Sequence, residues 1–360
     1  MHALNLLNDP IQLTQDLVDI PSPSHHEQAI ADAIEAALRQ QVPGVEIHRY
    51  ENNVIARTNY GHPSRVILAG HIDTVPIADN VPSTRADGLI YGCGSVDMKS
   101  GDAVFLHLFA SLANDPSLKR DLTLICYEGE EVASQYNGLN HMTKDHPEWL
   151  EGDLAILGEP SGAVIEAGCQ GTIRLKVEGH GVRAHSARSW LGHNAMHDLA
   201  PVMTNIANYE AQKVVIDGCE YHEGLNIVRV ECGVANNTIP DEAWFFVNYR
   251  FAPNKTVDEA LAHMLEVMDL PEGVTYEIDD ACPGALPGLH EPAAQELVQA
   301  TGGEFRAKFG WTDVARFAEL GLPAVNFGPG DPSFCHKKDE QCAEWMITRV
   351  ADILRSYLVS

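Results

Sequence analysis

Five short stretches carry residues able to do chemistry: GHIDTVP with His71, GCGSVDMKSG with Asp97, YEGEEV with Glu130 and Glu131, LGEPSG with Glu159, and CHKKDE with His336. Each of these residues lies just past an apolar, strand-like run or just ahead of a helix-like one. Two imidazoles and several carboxylates gathered by a fold suit a pair of divalent metals, zinc first among them. One further carboxylate would be left to handle protons. That is the equipment of a hydrolase that activates water.

Singly, most of these residues have an ordinary explanation. His71 and Asp73 form an H-x-D pair. On extended backbone alternate side chains point the same way, so Asp73 can hold the ring nitrogen that does not face a metal. The same pair also reads as a polar loop tip. Asp97, directly ahead of a helix-like run, reads by itself as an N-cap. Glu130 and Glu131 repel one another unless one binds a cation or keeps a proton, so burying both calls for a metal. The natural division gives Glu131 the metal and Glu130 the role of general base; a solvated acidic loop is the alternative. Glu159 and His336 are unremarkable alone. The joint occurrence carries the reading.

The elements that must position these residues alternate along the chain. Residues 66–69 (VILA), 122–127 (LTLICY) and 154–157 (LAIL) are short apolar runs of the kind buried in a central sheet. Helical periodicity marks 26–41, 98–113 and roughly 134–144. Strand alternating with helix predicts an α/β sheet covered on both faces, with ligands at the carboxyl ends of its strands. After Gly171 the rhythm changes. TIRLKVEGHG, LNIVRVECG and AWFFVNYRF are alternating strands, and 193–209 and 256–268 are amphipathic helices, which predicts a small α+β layer. The turn-rich stretch 282–292 reads as the return linker. Helices are expected over 291–301, 311–319 and 340–358, and a strand running into a loop over 323–330. If His336 is to share a site with Glu159, the middle segment is an insertion into the first domain.

Together the five stretches, in order and spacing and over nearly the whole chain, resemble the dinuclear-zinc aminoacylase/carboxypeptidase family of amidohydrolases. The resemblance implies a discontinuous catalytic domain, 1–171 and 283–360, with a mixed, mostly parallel sheet covered by helices. It also implies a smaller inserted α+β domain, 172–282, that serves as lid and dimerisation surface of a homodimer. Position by position, Asp97 would bridge both metals, His71 and Glu159 would complete one, and Glu131 and His336 the other. Glu130 would take the proton of the attacking water, with Asp73 behind His71, and the Asp97–Met98 peptide would be cis. The expected cofactor is two zinc ions per chain, with cobalt or manganese able to substitute.

In the inserted segment GVRAHSA places His185 where the family has a lid histidine that donates to the oxyanion. ANNTIP places Asn237 at a position that polarises the substrate, and VNYRF places Arg250 at a clamp for a substrate carboxylate, a role suited to guanidinium. A capped turn for His185 and a strand-face salt bridge for Arg250 are the alternatives. Thr312, in GWTD, is a further candidate for holding the distal end of the substrate. FGWTDVARF and PAVNFGPGDPSFCHKKDE look closest to a shorter branch of the family's desuccinylases. The expected substrate is therefore a small N-acyl amino acid, N-succinyl-diaminopimelate, with deacetylases, aminoacylases and carboxypeptidases of the family as rivals. Departures are Cys93 for the common Arg, Ser100 for Gly, Cys335 ahead of the ligand His, and Gln170 where longer desuccinylases carry Arg. The two cysteines would either approach the metals or simply pack.

Composition excludes several other classes. A formal net charge of -27 would repel nucleic acid and anionic membranes. At 45% hydrophobic and 21% charged over 360 residues, the chain is expected to fold into two soluble lobes. The amino-terminal stretch lacks a basic n-region, and no apolar run approaches the roughly 20 residues needed to span a bilayer, so a cytoplasmic location is expected. Eight scattered cysteines without a CxxC pair read as reduced thiols. Gly92-x-Gly94 lacks the third glycine of a dinucleotide-binding turn. A catalytically silent binding protein is the other alternative, opposed by the intact ligand set and Glu130.

Overall fold

The structure is a computed structural model, and it describes residues 4–360. The first residues of the amino-terminal stretch, 1–3, lie outside them. The chain divides into two compact units. One comprises Met1–Gly168, Pro287–Arg306 and Asp313–Ser360; the other comprises Cys169–Leu286 together with Ala307–Thr312.

The first unit is built on an eight-stranded sheet. Its order is Glu46–Tyr50, Asn53–Arg57, Asp121–Tyr127, Arg65–His71, Leu154–Pro160, Ala324–Gly328, Ile165–Ala167 and Phe305–Ala307. The four central strands, from Asp121–Tyr127 to Ala324–Gly328, run parallel, and the pairings at the Glu46–Tyr50 end and with Ile165–Ala167 are antiparallel. The mixed sheet expected from sequence is thus parallel at its centre and antiparallel toward its rims. The three central runs VILA, LTLICY and LAIL are buried throughout, which is why they read as continuous apolar strands and not as alternating ones.

The helix Lys99–Leu112 packs across the three central strands and is buried along most of its length. Gly101 makes that approach possible, since a Cβ there would lie 2.1 Å from the carbonyl oxygen of Gly158. The helix Gln28–Gln41 shows the expected stripe, with Ile30, Ile34, Ala37 and Leu38 buried. The helical reading of 134–144 divides into a 3₁₀ turn, Ser134–Tyr136, and a helix, Gly138–Asp145, capped by the Asn137 side chain. The helix expected over 340–358 starts later. Gln341–Ala343 is a strand paired with Leu89–Tyr91, and the helix runs Glu344–Val359. Edge pairing has overridden helical periodicity there.

The second unit holds a four-stranded antiparallel sheet, ordered Gly224–Cys232, Glu242–Phe251, Gly171–His180, Thr275–Cys282. One face carries Ile173, Leu175, Val177, Phe245, Val247 and Tyr249 and packs on the helices Ala195–Ala207 and Val257–Met268. The fourth strand, Thr275–Cys282, is absent from the sequence reading because its residues are exposed or only half-buried, so no hydrophobic alternation marks it. None of the eight cysteines is joined in a disulfide. Among the described residues no helix is long and apolar enough to cross a membrane.

Candidate metal centre

His71 ends its buried strand with its ring fully enclosed. Nδ1 lies 3.0 Å from the carbonyl oxygen of Asp73 and 3.5 Å from its carboxylate, while Nε2 faces Asp97 Oδ1 at 3.1 Å and Glu159 Oε1 at 3.9 Å. The H-x-D pair is therefore oriented with the aspartate behind the ring, and its main-chain oxygen makes the closer contact. The Asp73 carboxylate also accepts the backbone N–H groups of Glu130 (3.1 Å) and Glu131 (3.2 Å) and the Ser24 hydroxyl (2.8 Å). It thereby seats the acidic pair beside His71.

Asp97 does not cap the helix that follows it. The N-cap residue is Met98, without a side-chain cap, and the Asp97–Met98 peptide is cis. The Asp97 carboxylate instead lies between two imidazoles, Oδ1 toward His71 at 3.1 Å and Oδ2 toward His336 Nε2 at 3.3 Å. His336 Nε2 is also 3.1 Å from Glu131 Oε1. The backbone of His336 is left-handed, φ 61°, an uncommon conformation for a residue other than glycine. Gly129, at φ 72°, turns the chain out of the Asp121–Tyr127 strand toward Glu130; a Cβ there would meet the carbonyl oxygen of Tyr136 at 2.2 Å.

Three overlapping triads offer ligand atoms within 4.8 Å of one another: His71, Asp97 and Glu159; Asp97, Glu131 and His336; and His71, Glu130 and Glu131. The structure thus brings together all six residues singled out in the five stretches. Burial drives the Glu130 carboxyl well above the ordinary carboxylate range, and the neighbouring Glu159, Asp313 and Glu131 add to it against the pull of His71. Burial and Asp97 push Glu131 up to about 7. The hydrogen bond to Asp97 lifts His336 to about 9. Burial also works to raise Asp97, but the contacts with His336 and His71 outweigh it and hold its carboxyl low. Asp73, Asp97, Glu130, Glu131 and Glu159 gather around the imidazoles of His71 and His336. A donor set with this excess of negative charge fits a pair of divalent cations.

The remaining candidates belong to the second unit. His185 pairs with Thr238 across a two-residue ladder, and the Asn237 carbonyl accepts the N–H of Ser186 at 2.8 Å, so His185 and Asn237 are neighbours. His185 Nδ1 accepts the N–H of Ala187 at 3.0 Å, the capped turn, which leaves an exposed ring with its proton on Nε2. Arg250 lies on the central strand Glu242–Phe251, and its Nε donates to Asn248 Oδ1 at 3.1 Å; no ion pair among the described residues engages its guanidinium. Asn248 is in turn fixed by donating to Thr172 Oγ1 (3.0 Å) and the carbonyl of Ile173 (3.1 Å). Thr312 is buried.

Cys93 is buried and its thiol is raised by that burial. Cys335 lies against Asp97, and burial together with that carboxylate pushes its thiol far up. Sequence reading overlooked Asp313. It is fully buried, accepts Asn137 Nδ2 at 2.8 Å and Arg316 Nε at 2.6 Å, and raises Glu130. The aspartate and arginine three apart in TDVAR were the available signal.

Residues 67–360 match the profile of peptidase family M20/M25/M40. The chain is 61% identical over 360 residues to a succinyl-diaminopimelate desuccinylase of Corynebacterium glutamicum, covering 99% of this chain and 98% of that one. In fold it is similar to the aminopeptidase PepT of Bacillus cereus, with a TM-score of 0.80 at 19% identity over 99% of both chains. It is also similar to the YXEP protein of Bacillus subtilis, described as a dinuclear metal-binding peptidase of family M20, with a TM-score of 0.70 at 17% identity over 97% and 96% of the two chains. This chain belongs to peptidase family M20/M25/M40.

Proposed function

We propose that the protein hydrolyses the amide of N-succinyl-LL-2,6-diaminopimelate to succinate and LL-2,6-diaminopimelate, using two zinc ions per chain. The observation that carries the metal reading is Asp97, whose two carboxylate oxygens face His71 and His336 at 3.1 and 3.3 Å. His71, Asp97 and Glu159 would hold one ion, and Asp97, Glu131 and His336 the other. When bound, the metals supply Lewis-acid polarisation of the amide carbonyl and make water easier to deprotonate. The substrate assignment rests on 61% identity to a desuccinylase over nearly the full length of both chains.

Glu130, a half-buried carboxylate of raised proton affinity, takes a proton from the attacking water. It returns that proton to the amide nitrogen as the C–N bond breaks, and the second proton of the water passes from the new carboxyl group to the amine, so the products are a carboxylate and an ammonium. His185 offers its Nε2–H to the oxygen on which negative charge develops. Arg250, held by Asn248 and in no ion pair among the described residues, grips a substrate carboxylate in competition with the nearby charge of Asp280, with Asn237 and Thr312 completing the contacts. We further infer a cytoplasmic homodimer formed through the second unit, where the edge strand Gly224–Cys232 exposes Val228 and Val230.

Steady-state assays of the zinc-loaded protein with N-succinyl-diaminopimelate, N-acetylornithine and dipeptides test the substrate. The expected result is the highest kcat/KM for the succinylated compound. Preference for either of the others would replace the desuccinylase reading with that of a deacetylase or peptidase.

A further inference from the structure

The strand Gln341–Ala343 pairs antiparallel with Leu89–Tyr91, placing Gln341 opposite Tyr91. That register lays Glu340 against the segment that leaves Tyr91 and ends in Asp97. The carbonyl of Glu340 accepts the N–H of Gly92 at 3.1 Å. Its carboxylate accepts three more backbone N–H groups: Gly94 on Oε2 at 3.0 Å, and Val96 and Asp97 on Oε1 at 2.8 and 3.1 Å. The residue is 2% exposed. One side chain thus ties down the whole approach to Asp97, including the amide of Asp97 itself.

The same residue closes the turn that carries His336. Lys337 N–H donates to the carbonyl of Phe334 and Glu340 N–H to that of Lys337, so His336 sits inside the first of two consecutive bonded turns, the second of which ends at Glu340. His336 has no burial to hold it, with its side chain 53% exposed and its backbone left-handed. Asp97 and His336 come from distant parts of the chain and would bind one ion together. Glu340 is the residue that contacts one of these segments and terminates the other.

We propose that Glu340 is a positioning residue for the metal pair, fixing Asp97 and His336 relative to one another so that the Asp97–Glu131–His336 triad is formed before the ion arrives. The inference rests on the metal reading of the site. Only a carboxylate can do this in full, because both of its oxygens accept. An amide keeps one accepting oxygen and turns an NH₂ toward the remaining N–H.

The test uses the full chain and its Glu340→Gln and Glu340→Ala variants. Zinc affinity is measured by chelator competition, the visible absorption of the cobalt-loaded protein is recorded, and thermal unfolding serves as a control. Wild type should bind two ions. Glu340→Ala should weaken one of the two by about 10–100-fold, the range for residues that orient metal ligands. Glu340→Gln should fall between, with an altered cobalt spectrum, a lowered kcat and little change in KM. Wild-type affinity and spectrum in both variants would overturn the inference alone. So would an equal loss of both ions that tracks a fall in melting temperature, since that describes general stabilisation. A wild-type chain that binds no ion would overturn the metal reading and this inference with it.

Discussion

At the scale of single residues, the site works by giving carboxylates of one chemical type different surroundings. Asp97 lies between imidazoles that favour its charge, whereas Glu130 is half-buried, and desolvation and the other acids around it raise its affinity for a proton. A group that holds a proton readily, next to one that does not, is what a proton shuttle beside a metal site needs. Glu130 belongs to only one of the three triads, and the other two are complete without it. Glu130→Gln should therefore lower kcat by about 10²–10⁴-fold, the usual contribution of general acid–base catalysis, while metal content by elemental analysis stays at the wild-type value. Loss of metal in this variant would reassign Glu130 as a ligand. Asp73 teaches a related lesson. Its place behind His71 was legible from the H-x-D spacing, but its grip on the amides of Glu130 and Glu131 was not, because backbone acceptance leaves no trace in residue type. Glu340 was illegible for the same reason, lying 243 residues from Asp97 in sequence.

Elements place these residues. His71, Glu130 and Glu159 lie at or just beyond the carboxyl ends of parallel strands, so three continuous apolar runs in the sequence announced both the sheet and the edge where the site sits. Elements of weak hydrophobic signal escaped: Thr275–Cys282 is mostly exposed, and Gln341–Ala343 is too short to interrupt a helical pattern. The packing of the Lys99–Leu112 helix on the Leu154–Pro160 strand depends on glycine at the contact. In an open helix Gly→Ala would stabilise by about 1 kcal/mol. At Gly101 the added methyl would lie 2.1 Å from the Gly158 carbonyl, one residue before Glu159. Gly101→Ala should instead destabilise by about 1–3 kcal/mol, as overpacking does, and weaken metal binding together with it. Urea unfolding checks the first effect and zinc competition the second; a stabilised variant would show that the helix can withdraw without cost.

Over the whole molecule, a net charge of -27 sets the electrostatic terms. An acidic protein attracts divalent cations and repels a substrate rich in carboxylates. The ligand set lies in one compact unit, and His185, Asn237 and Arg250 lie in the other. The central claim is that hydrolysis of the succinyl amide requires a pair of metals in the first unit. It is tested most directly by stripping the full chain with a chelator and titrating zinc back while succinate release from N-succinyl-LL-2,6-diaminopimelate is followed. Activity should be absent from the stripped protein, return with added zinc and level off at two equivalents per chain. Succinate release that is undiminished after stripping, or that stays at background at every zinc loading, would contradict the account.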